Sequence, residues 1–144
     1  MFEVFYHARC GNGKSVCRST EELAGVIAAE LGVKAKDITT EAGPTKDAQV
    51  LLGCSCYGDK PGGNLSQFIA ENDFEGRQVA LFGTSLISVS DKVKRVEELL
   101  KPAGALLRGS FFCRRRALPF LHRGSLSEEE LANARRFASE MKGA

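Results

Sequence analysis

The chain lacks several features that would assign it to a special class of protein. Its formal net charge is only +2, too small by itself to indicate nucleic-acid binding. No apolar run approaches the roughly 18 residues that a membrane-spanning helix needs. The first residues have no basic lead of the kind that opens a signal peptide, so we expect a cytoplasmic protein. The five cysteines form no paired CxxC elements, so we expect reduced thiols that act as small packing residues, and no metal site. The alternative reading is a thiol metal site or redox pair among Cys10, Cys54 and Cys56, although Cys54 and Cys56 alternate faces of an extended chain.

What is present is an ordinary globular composition. The 144 residues are 43% hydrophobic and 26% charged, which excludes a disordered chain, a collagen-like repeat and a coiled coil. A chain of this length can bury a real core without disulfides or metals. We therefore predict a single domain over residues 1–144.

Apolar runs and amphipathic stretches alternate along the chain. Runs typical of strands lie at 2–7, 35–39, 49–54, 78–83 and 105–112. Helical spacing of apolar residues follows most of them, around Leu23–Leu31, Leu65–Ile69, Val93–Leu100 and Leu131–Met141. This alternation predicts an α/β fold, a doubly wound parallel five-stranded sheet with helices on both faces.

Capping residues predict where the helices begin and end. Ser19 with Glu22, and Ser127 with Glu130, have the spacing of capping boxes, and Asp91 is a third candidate cap. The helix at Ser19 could also begin a turn earlier, directly after the loop at 8–15. Gly32 and Pro102 are natural stops.

Three loops should meet at the carboxyl-terminal edge of the sheet, where ligands of such folds bind. They are residues 8–15, 55–64 and 84–90. The first is glycine-rich and lies between a strand and a helix, so its backbone N–H groups and the helix N-terminus favour a phosphate. It also satisfies a relaxed nucleotide P-loop pattern from Ala8 to Ser15, but that reading needs a strand ending in Asp to hold magnesium, and the runs 49–54 and 78–83 end in Cys and Gly.

The three loops together resemble those of the short-chain flavodoxins, and the resemblance covers nearly the whole chain. Residues 5–13 (FYHARCGNG) resemble the family's first strand and phosphate loop, 52–59 (LGCSCYGD) its second flavin loop, and 79–85 (VALFGTS) its central strand and third loop. The resemblance implies bound FMN and transport of single electrons between redox proteins; such a carrier has no substrate of its own and no catalytic residues. The FMN-binding residues that it implies are Ala8, Arg9, Cys10, Gly11, Asn12, Gly13, Lys14, Ser55, Cys56, Tyr57, Gly58, Asp59, Thr84, Ser85, Leu86 and Ile87.

The sequence departs from the family at the phosphate loop and at the flavin's outer face. The family's three loop hydroxyls fall on Ala8, Cys10 and Gly13, while Arg9 and Lys14 offer positive charge in compensation. Tryptophan is absent and Ile87 falls near the usual covering aromatic, which leaves Tyr57 to stack on the ring. These departures also motivate an alternative, a flavodoxin-like module that has lost FMN and acts as a binding or regulatory partner.

Arginines are concentrated around the last strand and the segment after it. They are Arg108, Arg114, Arg115, Arg116 and Arg123. Two readings of this basic patch stay open, a docking surface for an acidic redox partner protein and a solvated loop. Interleaved aromatics and nucleic-acid-binding motifs are lacking, so we do not expect nucleic acid as the partner.

Overall fold

The fold is known from a computed structural model, which describes residues 1–7, 18–38, 43–56, 63–85, 89–114 and 127–143. Its strands are β1 (Phe2–His7), β2 (Ala35–Asp37), β3 (Gln49–Cys56), β4 (Gln78–Ser85) and β5 (Leu106–Arg114). Its helices are α1 (Arg18–Leu31), α2 (Gly63–Glu71), α3 (Val89–Leu100) and α4 (Glu128–Gly143). All five strands predicted from the sequence are present.

The strands form one sheet in the order β2-β1-β3-β4-β5. Every neighbouring pair is parallel. Parallel neighbours need crossover connections, and the helices supply them. The prediction of a doubly wound, five-stranded parallel sheet is confirmed.

Side chains alternate between two hydrophobic cores, one on each face of the sheet. Val4, Leu51 and Phe82 pack with α1 and α4 on one face, and Ala134, Phe137 and Ala138 are the buried residues of α4 there. The other face carries side chains one position later or earlier in the same strands. These are Phe5, Leu52 and Leu81, which pack with Phe68 of α2 and Val96 of α3. Strands buried on both faces read as continuous apolar runs, which explains why β3 and β4 were recognisable from sequence.

Gly53 in the middle of β3 makes room for an aromatic ring. It is in register with Phe82 of β4, and a Cβ at Gly53 would collide with three ring carbons of Phe82. Phe82 in turn is in register with Phe111 of β5, whose ring stacks on Phe137 of α4 at 5.6 Å between centroids. The glycine is therefore required by packing between neighbouring strands.

Three of the predicted helix signals are confirmed. The Ser127 amide donates to Glu130 Oε1 at 3.0 Å, and the Glu130 amide donates to Ser127 Oγ at 3.1 Å, so the capping box at the start of α4 is complete. Gly32 follows α1 with a φ of +73°, and its amide donates to the carbonyl of Ala29 at 3.1 Å. Helix α3 ends at Leu100, before Pro102, as predicted.

The cap predicted at Asp91 was wrong, and of the two starts predicted for α1 the structure shows the earlier one, before Ser19. Ser19 and Asp91 both lie inside helices, because α1 is already helical at Arg18 and α3 at Val89. Gly63 and Asn64, expected in a loop, are the first residues of α2. Tertiary packing can extend a helix beyond a locally favourable cap, since burial of an apolar face outweighs a single capping hydrogen bond.

A buried carboxylate ties the amino-terminal edge of the sheet together. Glu3 is 6% exposed, and it accepts hydrogen bonds from the amide of Thr45 at 2.6 Å, from Lys36 Nζ at 3.1 Å and from Thr45 Oγ1 at 3.1 Å. Burial acts to raise the pKa of Glu3, but these hydrogen bonds and the positive charge of Lys36 outweigh it, so its pKa is lower than the ordinary value. Glu3 thus fastens the segment before β3, and β2 through Lys36, to β1.

Candidate functional site

The carboxyl-terminal ends of β1, β3 and β4 lie side by side. His7 is in register with Cys54, Ser55 with Thr84, and Cys56 with Ser85. Neighbouring strands are about 4.8 Å apart, so the chain segments that leave these strands start close together at one edge. The edge therefore gathers the starts of the three segments that resemble flavin loops.

The order of the strands reverses at this edge. From β1 the chain passes to β2 on one side of β1, and β3 lies on the other. The connections on the two sides of such a switch point diverge and leave a crevice, in which ligands of open α/β sheets bind. The switch point lies between β1 and β3, and the sequence segments 8–14 and 57–59 directly follow the last residues of these two strands.

Four of the sequence-predicted site residues lie in strands and not in loops. Ser55 and Cys56 are the last residues of β3, and Thr84 and Ser85 the last of β4. Each of these two strands is two residues longer than the sequence indicated, because pairing with the neighbouring strands continues as far as Ser85 and Arg114. The predicted starts of these two loops, at 55 and 84, were therefore wrong by two residues.

The remaining predicted site residues lie outside the described residues, so their roles stay predictions. They are Ala8, Arg9, Cys10, Gly11, Asn12, Gly13, Lys14, Tyr57, Gly58, Asp59, Leu86 and Ile87.

His7 is a residue of this edge to which sequence reasoning gave no role. It is the last residue of β1, directly before the predicted phosphate loop, and only 4% of it is exposed. Histidine is intermediate between the mostly buried and the mostly exposed residue types, so the near-complete burial of His7 sets it apart at this edge. Its place between a buried strand and a glycine-rich loop is the sequence signal that marks it.

The structure separates Arg108 from the arginines with which the sequence grouped it. Its Nη1 donates to Gln49 Oε1 at 2.6 Å and to Gln78 Oε1 at 2.9 Å, at the amino-terminal ends of β3 and β4. Arg114 ends β5 at the opposite edge, six residues or about 20 Å away along the strand. Arg115, Arg116 and Arg123 lie outside the described residues.

A groove of about 500 Å³ opens at the amino-terminal edge, opposite the predicted flavin loops. Its walls carry both signs of charge, with Lys46 and Arg77 beside Asp47, Asp73 and Glu75. Arg77 Nη1 already donates to the carbonyls of Thr45 and Ala48, at 2.9 and 2.7 Å. This guanidinium has a structural role, and we assign no ligand to the groove.

Within the described ranges, no three His, Cys, Asp or Glu residues are grouped so that they could hold a metal ion. No helix in those ranges is both long enough and apolar enough to span a bilayer.

Solved structures similar to this one include several flavodoxins. Oxidised flavodoxin 2 from Bacillus cereus has a TM-score of 0.67 and 20% identity, and the match covers 99% of this chain and 97% of that one. A flavodoxin from the domain Archaea has a TM-score of 0.70 and 13% identity, with the same coverage. Two-electron reduced flavodoxin from Megasphaera elsdenii has a TM-score of 0.61 and 18% identity over 96% of this chain and 99% of that one. No protein-family model and no curated protein matches the sequence. At these identities the likeness shows the backbone fold alone. It agrees with the strand order β2-β1-β3-β4-β5. The chain therefore has the flavodoxin-like fold.

Proposed function

We infer that this protein binds FMN at the carboxyl-terminal edge of β1, β3 and β4 and carries single electrons between redox proteins. One observation carries the inference. The strand order reverses between β1 and β3, and the segments that follow β1, β3 and β4 are the three that resemble flavodoxin's flavin loops. Fold neighbours solved in oxidised and in two-electron reduced states add support.

The chemistry of the strand ends fits a flavin better than a magnesium nucleotide. Strands β1, β3 and β4 end in His7, Cys56 and Ser85, so none of these ends carries the carboxylate that a P-loop enzyme needs for its metal ion. Glycine-rich backbone at residues 11–13 and the cations Arg9 and Lys14 suit a phosphate that is bound without a metal.

Each part of the proposed site has one task. Residues 8–14 would hold the phosphate, and Tyr57 would stack on the ring and exclude water from it. Gly58 allows its peptide to change orientation at low cost, and Asp59 places negative charge near the ring. When bound, FMN would supply a ring that accepts electrons one at a time, and the protein would tune its potential.

The first test is the colour of the purified protein and the release of FMN on denaturation. Lys14→Ala should weaken FMN binding at low salt and less so at high salt, because salt screens the attraction between the Lys14 charge and the phosphate. Lys46→Ala is the matched control, because Lys46 is an exposed lysine that lies at the amino-terminal edge. Equal FMN dissociation constants for the two variants at low salt would remove Lys14 from the site.

The one-electron assignment has a separate test. Stepwise anaerobic reduction of the FMN-loaded protein should show a long-wavelength absorption band at the one-electron stage. Gly58→Val should lower its yield, because a β-branched residue resists positive φ. Reduction that passes directly from yellow to colourless would leave FMN binding intact and move the function toward two-electron chemistry.

A second candidate is a module of this fold that has lost FMN and acts as a binding partner. The observation that favours it is the replacement of all three phosphate-loop hydroxyls, at Ala8, Cys10 and Gly13. A colourless protein that takes up no added FMN would select this candidate.

The proposal also covers the partner proteins and the cellular compartment. Redox partners with acidic surfaces would dock on the arginine that ends β5 and those after it, namely Arg114, Arg115, Arg116 and Arg123, without Arg108. The protein would work in a reducing compartment, the cytoplasm, with all five cysteines as thiols.

A further inference from the structure

His7 is a buried titratable residue to which the proposed function gives no task. It ends β1, and only 4% of it is exposed. The next residue is the first of the segment 8–14, which the proposed function assigns to the phosphate, and consecutive Cα atoms are about 3.8 Å apart. The imidazole is therefore next in the chain to the segment that would carry the anion.

The described surroundings of His7 on its own face of the sheet are mainly apolar. His7 follows Phe5 by two residues, so both side chains lie on the face that α2 covers, where the rings of Phe5 and Phe68 are 5.2 Å apart. On the β2 side the chain continues into Ile38, which is buried in the same core. On the β3 side the residue in register is Cys54. Burial in such surroundings favours the neutral form of an imidazole.

The charged side chains of the neighbouring described elements lie at a distance from the imidazole or on the other face. Glu3, on the same strand and face, is four residues back, or about 13 Å, and Lys36 on this face is bound to it. Asp37 of β2 is in register with Tyr6, which packs in the core on the opposite face. The only charged residue of α2 is Glu71, at the end of the helix nearer the amino-terminal edge, and α3 lies over β4 and β5.

The segments that resemble flavin loops bring further charges to this edge. Arg9 and Lys14 of the first segment, like Lys60 after the second, oppose a proton on the imidazole. Asp59 of the second segment favours one. A phosphate monoester carries about 1.5 to 2 negative charges at neutral pH, enough to reverse the balance in favour of the protonated ring. An opposite charge within about 4–6 Å typically moves a titration by 1–3 pH units.

We propose that His7 takes up a proton when the phosphate of FMN binds to residues 8–14, so that FMN binding is linked to pH. The inference rests on the proposed FMN site. The proton comes from water and bonds to the ring nitrogen that carries no hydrogen in the neutral imidazole, and no electron moves. The added positive charge stands in for the phosphate-loop hydroxyls that are replaced at Ala8, Cys10 and Gly13.

The sign of the pH dependence follows from this linkage. His7 holds its proton more firmly in the complex than in the protein without FMN, so FMN binding tightens as the pH falls. The gain is lost as the pH rises past the titration of His7 in the complex.

The direct test is an NMR titration of the histidine rings. The chain has two histidines, His7 and His122, so single variants assign their C–H signals. With FMN bound, His7 should take up its proton at a pH higher by about one unit or more than in the protein alone. Riboflavin, which has the same ring but no phosphate, should leave the titration of His7 unchanged. Inorganic phosphate alone should move it in the same direction as FMN.

FMN dissociation constants give a second measurement. Between pH 8 and pH 6 binding to the wild type should tighten, relative to His7→Gln, by about three- to ten-fold, the range that a shift of one to two pH units produces over this interval. The variant keeps a polar side chain of similar size but cannot take up the proton, and it also corrects for protonation of the FMN phosphate itself. His122→Gln is the matched control and should follow the wild type.

Several outcomes would overturn the inference. A His7 signal that titrates at the same pH with and without FMN, or an equal shift with riboflavin, would remove the phosphate as its cause. Wild type and His7→Gln with the same pH dependence would do so as well, and thermal melts show whether the variant is folded. If the protein takes up no FMN, the proposed function fails and inorganic phosphate decides separately: a shift of His7 supports the proton linkage without a flavin, and no shift refutes it.

Discussion

Glu3→Gln should destabilise the fold, and by an amount that depends on pH. The variant keeps the shape of the side chain but replaces one carboxylate oxygen by an N–H₂ group, which must then face the donors of Thr45 and Lys36. A hydrogen bond to a charged group contributes about 1.5–3 kcal/mol, and the Thr45 amide at 2.6 Å is the strongest of the set. The Lys36 side chain is 36% exposed, so we count its ion pair at under about 1 kcal/mol. The expected loss in free energy of unfolding at neutral pH is therefore about 2–4 kcal/mol.

The pH dependence follows from the lowered pKa of Glu3. The unfolded state takes up the proton first as the pH falls, so the contribution of the carboxylate is complete above its ordinary pKa of about 4.3 and is lost as the pH falls through the lower folded value. Urea unfolding of wild type and variant from neutral to acidic pH should show two stabilities that converge at low pH.

The matched control for this experiment is Glu30→Gln, which removes an exposed carboxylate of α1. Surface changes of this kind stay within about 0.5 kcal/mol. Lys36→Met tests how the stabilisation is divided between the Thr45 hydrogen bonds and the Lys36 ion pair. It should lower the free energy of unfolding by less than Glu3→Gln does. If Glu3→Gln and Glu30→Gln unfold at the same urea concentration, or if the Glu3→Gln difference is unchanged down to acid pH, the reasoning about this carboxylate is refuted.

The other predictions concern packing, capping and the flavin. Gly53→Ala should lower the free energy of unfolding by about 1–3 kcal/mol, because the new Cβ collides with Phe82. Gly25→Ala, on the open side of α1, should raise the free energy of unfolding by about 0.5–1 kcal/mol. Chemical denaturation that gives both changes the same sign would contradict this reasoning. Ser127→Ala should cost about 1 kcal/mol by thermal or urea unfolding and Ser127→Asp almost nothing, because only the second keeps a side-chain acceptor for the Glu130 amide. Tyr57→Ala should raise the fluorescence of bound flavin and weaken FMN binding by roughly ten-fold, or ~1.4 kcal/mol; flavin that stays equally quenched would show that Tyr57 is not its stacking partner.

Local signals in the sequence were sufficient to predict elements whose pattern is set within a short stretch of chain. Strands β3 and β4 are continuous apolar runs because both their faces are covered, and the Ser127–Glu130 box forms because its four atoms belong to one turn of chain. The alternation of strands and helices, with the three loops that resemble flavin loops, predicted the parallel doubly wound fold.

Tertiary structure decided what depends on partners distant in sequence. The last two residues of β3 and β4 are strand because neighbouring strands pair with them, although nothing local marks them. Arg108 does not belong to the predicted basic patch, because its guanidinium binds Gln49 and Gln78, which are 59 and 30 residues away in sequence but adjacent in the folded sheet. Glycine is required at position 53 because the Phe82 ring of the neighbouring strand lies next to it. The carboxylate of Glu3 accepts a hydrogen bond from Thr45, which is 42 residues away in sequence. Sequence periodicity records which face of an element is buried, but only the assembled sheet determines which side chains meet there.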